Sequence, residues 1–138
     1  MKKFFSILLH MFCLSPCLMA QFDGAVGTEG CKAIHCKDKR IIAWATSCEV
    51  TRGYQDIAFK DHGLVSYGKE TDATGAANDS DATRVISLGD GGVAVLQFET
   101  PIMNRQGYDF VVFENSLNDY FLELALVEVS SDGIHYVR

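Results

Sequence analysis

Val85-Ile86-Ser87-Leu88-Gly89-Asp90-Gly91-Gly92, Phe110-Val111-Val112-Phe113-Glu114-Asn115 and Leu122-Glu123-Leu124-Ala125-Leu126-Val127-Glu128-Val129-Ser130-Ser131-Asp132-Gly133 carry the reading of the fold. Each is a short run rich in β-branched, leucine or aromatic residues, closed by glycine, aspartate or asparagine. That is the pattern of strands joined by tight turns. Arg84 to Leu88 is expected to be one strand, and Gly89 to Gly92 its turn. Val93 to Phe98 follows, with Ala94, Leu96 and Phe98 on one apolar face, and Pro101 ends it. Phe110 to Phe113 is apolar on both faces and is expected to be a central, buried strand. Leu122 to Ser131 is the longest run. Its apolar phase flips between Leu126 and Val127, as a β-bulge would require. Asp132-Gly133 is a two-residue hairpin signal that would pair Val129 with Tyr136.

Upstream, residues 21 to 83 are irregular and rich in glycine. Asp38 can cap a short helix in which Ile41, Ile42, Trp44 and Ala45 recur at helical spacing, ending near Ser47. Cys48, Val50 and Arg52 then alternate with Glu49 and Thr51 as a short strand. Thr71 to Thr83 is small and polar, hence a surface loop. The expected architecture is all-β: an antiparallel β-sandwich of jelly-roll, galactose-binding-like type with one short N-terminal helix. Its expected core is Trp44, Leu88, Leu96, Phe98, Phe110, Val112, Leu124, Val127 and Val129. The chain stops at Arg138 in the second arm of the hairpin, so the sandwich is expected to be a fragment lacking its last strands.

Residues 1–20 read as a secretory signal peptide. Lys2 and Lys3 precede an apolar run from Phe4 to Leu14, and Ala20 stands at the cleavage position. The run is too short to span a bilayer. A lipoprotein signal with Cys17 as the modified residue is the rival, and Pro16 before it argues against it. Residues 21–138 then form one domain, secreted or held at the cell surface, with no transmembrane segment. Removing Lys2 and Lys3 leaves ten Lys and Arg against eighteen Asp and Glu, a formal charge of −8. That sign disfavours nucleic acid and anionic membranes as partners.

Three cysteines remain after cleavage, Cys31, Cys36 and Cys48, so one disulfide and one thiol is a reasonable expectation for an exported chain. Their spacing, with His35, fits no regular structural zinc pattern. No phosphate loop, nucleophile elbow or His-Glu-x-x-His pair is present. Glu123 and Glu128 lie five apart on one expected strand and face opposite sides unless the bulge intervenes, which weakens a glycosidase reading. Asp90 and Glu114 are the candidate metal ligands. Both sit where an expected buried strand meets a turn, and calcium is the ion that such oxygens suit. The alternative is that Asp90 shapes its turn and Glu114 takes backbone N–H bonds. Trp44, Tyr54, Tyr67, Tyr108 and Tyr120 could line a sugar platform, although aromatic rings more often pack inward.

The motifs above, with Ala43-Trp44-Ala45-Thr46-Ser47-Cys48-Glu49-Val50-Thr51-Arg52-Gly53, resemble those of a family of secreted or cell-surface proteins of Bacteroidetes-type bacteria. Its members often carry a C-terminal sorting domain for type IX secretion. The Val127 to Gly133 hairpin also resembles discoidin-like jelly rolls. The resemblance implies an exported β-sandwich and carries over no catalytic residue. The function expected is a non-catalytic binding module for an extracellular glycan or surface protein. A structural or adhesive surface protein without a small-ligand pocket is the alternative, and a hydrolase fragment the third reading.

Overall fold

A computed structural model describes residues 24, 26–78, 80–81, 83–115, 118, 123 and 125–138. Among them two strands form, β1 (Ser47–Thr51) and β2 (Val93–Gln97), paired antiparallel in one sheet. Cys48 lies opposite Leu96 and Val50 opposite Ala94, so these four share one face. Cys48 is buried and Val50 half-buried, while Ser47, Glu49 and Thr51 are exposed. This is the period of two that the alternation around Cys48 predicts. Thr46 N–H extends the ladder by donating to the Gln97 carbonyl at 2.9 Å. The opposite edge is occupied in part by Gly75, whose N–H donates to the Ala45 carbonyl at 2.9 Å.

Beyond Thr51 the ladder is interrupted and then resumes. Tyr54 pairs with Asp90, three positions on along each chain from the Thr51–Val93 pair, in the same register. Tyr54 N–H donates to the Asp90 carbonyl at 3.1 Å and Asp90 N–H to the Tyr54 carbonyl at 2.8 Å. On its other side Tyr54 bridges to Leu64. Gly53 sits in the interruption. Its N–H donates to the Leu88 carbonyl at 2.7 Å and its carbonyl accepts from Val65 at 3.0 Å. A methyl group on Gly53 would press into the Asp90 carbonyl and lie 2.5 Å from the Gly92 nitrogen, so only glycine lets the three backbones meet.

The β-sandwich is not what forms. Among the described residues there is one open sheet of two strands and no α-helix. Residues 38–46 are not helical. Asp38 does cap a turn, accepting from Arg40 N–H at 2.9 Å. The helix fails to propagate because Ala45 and Thr46 are hydrogen-bonded to Gly75 and Gln97, and because Ile41, Ile42 and Thr46 are β-branched. Residues 84–88 hold no strand. They are joined to 52–68 by single bonds such as Ser87 N–H to the Tyr67 carbonyl, 3.1 Å.

The central strand expected at Phe110 to Phe113 is absent as well. Phe110 is 44% exposed and Val112 62%, so the apolar run is not covered by a second layer. Ala125 to Glu128 form no strand, and Leu122 and Leu124 lie outside the described residues. The Asp132-Gly133 turn is wider than a two-residue hairpin. Val129 pairs with Val137, not Tyr136, through N–H···O bonds of 2.8 and 2.9 Å. The reason is local: Ser130 and Asp132 side chains occupy the turn's amides, as described below.

The expected core changes accordingly. Ala45 and Cys48 are the buried apolar residues among those described, whereas Leu96, Phe98, Phe110, Val112, Val127 and Val129 are all exposed. Trp44 and Leu88 are half-buried. Residues 1–20, where the signal peptide is expected, lie outside the described residues. No helix among the described residues is long and apolar enough to cross a membrane.

Candidate functional site

Arg52 organises the middle of the chain. It follows β1 directly, so its side chain is aimed across the interruption in the ladder. One terminal nitrogen, Nη1, donates to the Tyr67 carbonyl at 2.8 Å and to the Ser87 carbonyl. The other, Nη2, donates to the Gly68 carbonyl at 2.8 Å. A planar guanidinium presents five donors in a fixed fork, which suits it to gathering carbonyls from separate segments. Gly68 must approach closely for this: its φ is 78°, and a Cβ there would collide with the Val85 carbonyl. Arg52 is therefore structural, holding residues 67–68 and 87 against the end of β1.

The described cleft lies elsewhere, between residues 32–34 and 108–111. It is lined by Lys32, Ala33, Ile34, Tyr108, Phe110 and Val111 and encloses about 140 Å³. That is room for a single ring, well short of the ~300–1,000 Å³ of pockets for drug-sized ligands. Tyr108 is 68% exposed beside it. The turn that carries Tyr108 is fastened by Asp109, whose Oδ1 accepts from Arg105 N–H at 2.8 Å. The facing segment is fastened at Cys31, whose thiol donates to the Gly24 carbonyl and accepts from Ala33 N–H at 3.3 Å.

Residues 32–40 carry Lys32, Lys37, Lys39 and Arg40 against the single carboxylate of Asp38, in a chain of net charge −6. Arg40 closes a two-point pair on Asp38, Nε to Oδ1 at 3.0 Å and Nη2 to Oδ2 at 2.7 Å. The side-chain hydrogen bond from Arg40 holds the Asp38 carboxyl down at about 2. The Tyr108 phenol also acts electrostatically on Arg40.

Of the five aromatics considered for a platform, Tyr108 lines the cleft. Trp44 packs on Phe113 with ring centroids 5.7 Å apart. Tyr54 lies under the Lys60 ammonium, 5.1 Å from its ring centre. Tyr67 donates its hydroxyl to the Thr83 carbonyl at 3.2 Å. Tyr120 lies outside the described residues.

Asp90 and Glu114 have separate partners. Asp90 Oδ2 accepts from Ile57 N–H at 2.9 Å and so ties the 56–59 turn to the end of the ladder. Glu114 Oε1 accepts from Glu123 N–H at 3.2 Å. Both residues are exposed. The buried strand that motivated Glu114 does not form. Among the described residues no group of three or more His, Cys, Asp or Glu is placed to hold a metal. Glu128 pairs with Arg138 at 3.3 Å.

Cys31, Cys36 and Cys48 are free thiols. Burial pushes the Cys48 thiol up, reinforced by repulsion from Glu70. Ser130, Asp132 and His135 cluster without forming a nucleophilic triad. Asp132 stands in the middle, accepting from Ser130 Oγ at 2.9 Å and meeting His135 Nδ1 at 2.7 Å. A triad needs the imidazole next to the hydroxyl. Asp132 also accepts from the Ile134 and His135 amides at 2.9 and 2.8 Å, so it closes the turn. The His135 hydrogen bond, with those amides, holds its carboxyl well below the usual range.

Lys32, Ile34 and Arg52 were not singled out as site residues by sequence pattern, and Phe110 was expected in the core rather than at a cleft. The concentration of cations in 32–40 was the available signal for Lys32; the Arg-Gly pair ending a strand was the signal for Arg52. No protein family, curated protein or solved structure matches the chain.

Proposed function

We propose that the chain is an exported, non-catalytic binding module whose ligand is a glycan. Kinship with the secreted Bacteroidetes-type proteins and passage through a cleaved signal peptide belong to the same proposal. The observation that supports it is the exposed Tyr108 ring bordering a ring-sized, mostly apolar cleft whose other lining residues are Lys32, Ala33, Ile34, Phe110 and Val111. The C–H face of a pyranose stacks on such a ring while its hydroxyls stay in water, which suits a shallow site with an amphipathic aromatic. The cleft lining has no carboxylate, which favours binding over the paired-acid chemistry of glycoside hydrolysis. Glycan-array binding by the secreted chain tests the reading. Tyr108→Ala, a change at a surface ring, removes the signal while leaving the circular dichroism spectrum intact. An array silent for the parent chain refutes it. N-terminal sequencing of the secreted material begins at Gln21, and a lipid-modified Cys17 would overturn the export route.

A further inference from the structure

An aspartate followed by glycine is the dipeptide in which a chain most readily attacks its own side chain, because glycine has no Cβ to hinder its amide nitrogen. The sequence holds three such pairs, Asp23-Gly24, Asp90-Gly91 and Asp132-Gly133. Asp23 lies outside the described residues. The other two are held in opposite ways. The Asp132 carboxylate accepts from Ser130 Oγ and from the Ile134 and His135 amides, and meets His135 Nδ1, at 2.7 to 2.9 Å. The Gly133 N–H donates to Ser130 Oγ at 2.9 Å. Both the carboxyl and the nitrogen that would attack it are therefore tied down. At Asp90 the carboxylate accepts, through Oδ2, from the Ile57 N–H at 2.9 Å. Among the described residues the Gly91 N–H has no hydrogen-bond partner. Gly91 is exposed, adopts φ 76°, and has nothing within 4 Å of where a Cβ would stand.

We propose that Asp90-Gly91 is a site of spontaneous isoaspartate formation in the folded chain, and that the Asp132-Gly133 turn is protected from it. The Gly91 nitrogen attacks Asp90 Cγ. A C–N bond forms, a carboxyl C–O bond breaks, and that oxygen leaves as water with the amide and carboxyl protons. The product is a five-membered cyclic imide. Water then adds to the imide carbonyl on the Cα side and breaks its C–N bond. The chain now runs on through Cβ and Cγ, and the former main-chain carbonyl becomes a pendant carboxylate. One water leaves and one enters, so mass and formal charge are unchanged and no co-reactant is needed. The consequence falls on the ladder. The Asp90 carbonyl that accepts from Tyr54 N–H at 3.1 Å leaves the main chain, and an extra methylene enters it. The Tyr54–Asp90 pair, which carries the register past Gly53, is lost.

Ageing of the full chain at neutral pH and physiological temperature, beside a sample unfolded in guanidinium chloride, tests it. Trypsin separates the two pairs into peptides 85–105 and 106–138, and electron-transfer fragmentation locates isoaspartate at each residue. In the unfolded sample, where structure protects neither pair, Asp90 and Asp132 convert at similar rates. In the folded chain Asp90 converts about tenfold faster than Asp132 or more, since a charge-assisted hydrogen bond that must first break at Asp132 slows attack by that order. Ser130→Ala frees the Gly133 amide and removes one donor from the Asp132 carboxylate, so conversion at Asp132 rises while Asp90 is unchanged. Equal rates at the two residues in the folded chain, a faster rate at Asp132, or no isoaspartate at Asp90 over the time in which the unfolded sample forms it overturns the proposal.

Discussion

Arg52→Ala is the most informative single change. It removes the guanidinium donors that reach the Tyr67, Gly68 and Ser87 carbonyls. Hydrogen bonds to a charged group contribute about 1.5–3 kcal/mol each. The site is half-buried, so water replaces part of what is lost, and three bonds to one fork are not additive. The expected loss is about 2–4 kcal/mol. Its place is specific. Ser87 N–H bonds the Tyr67 carbonyl, and Val65 N–H bonds the Gly53 carbonyl, on either side of the clamp. Hydrogen exchange followed by NMR reads these amides directly, without requiring a two-state transition. Their protection falls roughly 30- to 1,000-fold in Arg52→Ala, at tenfold per 1.4 kcal/mol. The Val129 and Val137 amides, in a separate turn, are unchanged. Arg52→Lys keeps the charge but presents a compact ammonium that cannot span the three carbonyls, so it recovers only part of the protection. Exchange at Ser87 and Val65 within a factor of two of the parent, or an equal change at Val129, would refute the clamp.

Gly53→Ala places a methyl group against the Asp90 and Gly92 backbones, so the Tyr54–Asp90 pair opens and both amides lose their protection in the same exchange experiment. For Asp132 the sign follows from its lowered pKa: the turn it closes is stabilised above the ordinary carboxyl pKa of about 3.9, and the stabilisation is lost as pH falls through the depressed value. The carboxyl titration felt by the Ile134 and His135 amides therefore lies below pH about 4; Asp132→Asn removes that titration. The raised Cys48 thiol is a poorer nucleophile, so mass spectrometry finds Cys31 and Cys36 alkylated by iodoacetamide at pH 8 well before Cys48. If calcium binds at Asp90 and Glu114, the melting temperature rises with it and Glu114→Gln cancels the rise; a melting temperature indifferent to calcium leaves the two as anchors for the Ile57 and Glu123 amides.

Local pattern was legible where local interactions decide. The alternation at Cys48 and Val50 announces β1, and Val93 to Gln97 announces β2, because a period of two reports which face meets a neighbour. What the pattern does not contain is whether that neighbour exists. Phe110 to Phe113 reads as a buried strand only if a second sheet covers it, and the described residues supply none. Asp38 looks like a helix cap and does cap a turn, but the carbonyl of Ala45 and the amide of Thr46 are claimed by distant backbone. The same holds at the site. Tyr108 could be weighed as a platform from composition, whereas Lys32 and Ile34 reach it only through the path of the chain. Arg52 illustrates the limit most clearly, since its three acceptors come from residues 67, 68 and 87.

The Gly53 interruption has a consequence for how freely the chain between the strands can be rewritten. Register is carried past the gap by the Tyr54–Asp90 pair, and the two segments are stapled from the side by Arg52. No hairpin turn sets the alignment of β1 with β2. The connection between them runs to roughly 40 residues, and doubling such a loop adds only about 0.6 kcal/mol to its closure. Length is thus decoupled from alignment. A reporter peptide or an affinity tag spliced after the exposed Ala76 leaves every strand contact where it was, which makes that position a natural port for building on this scaffold.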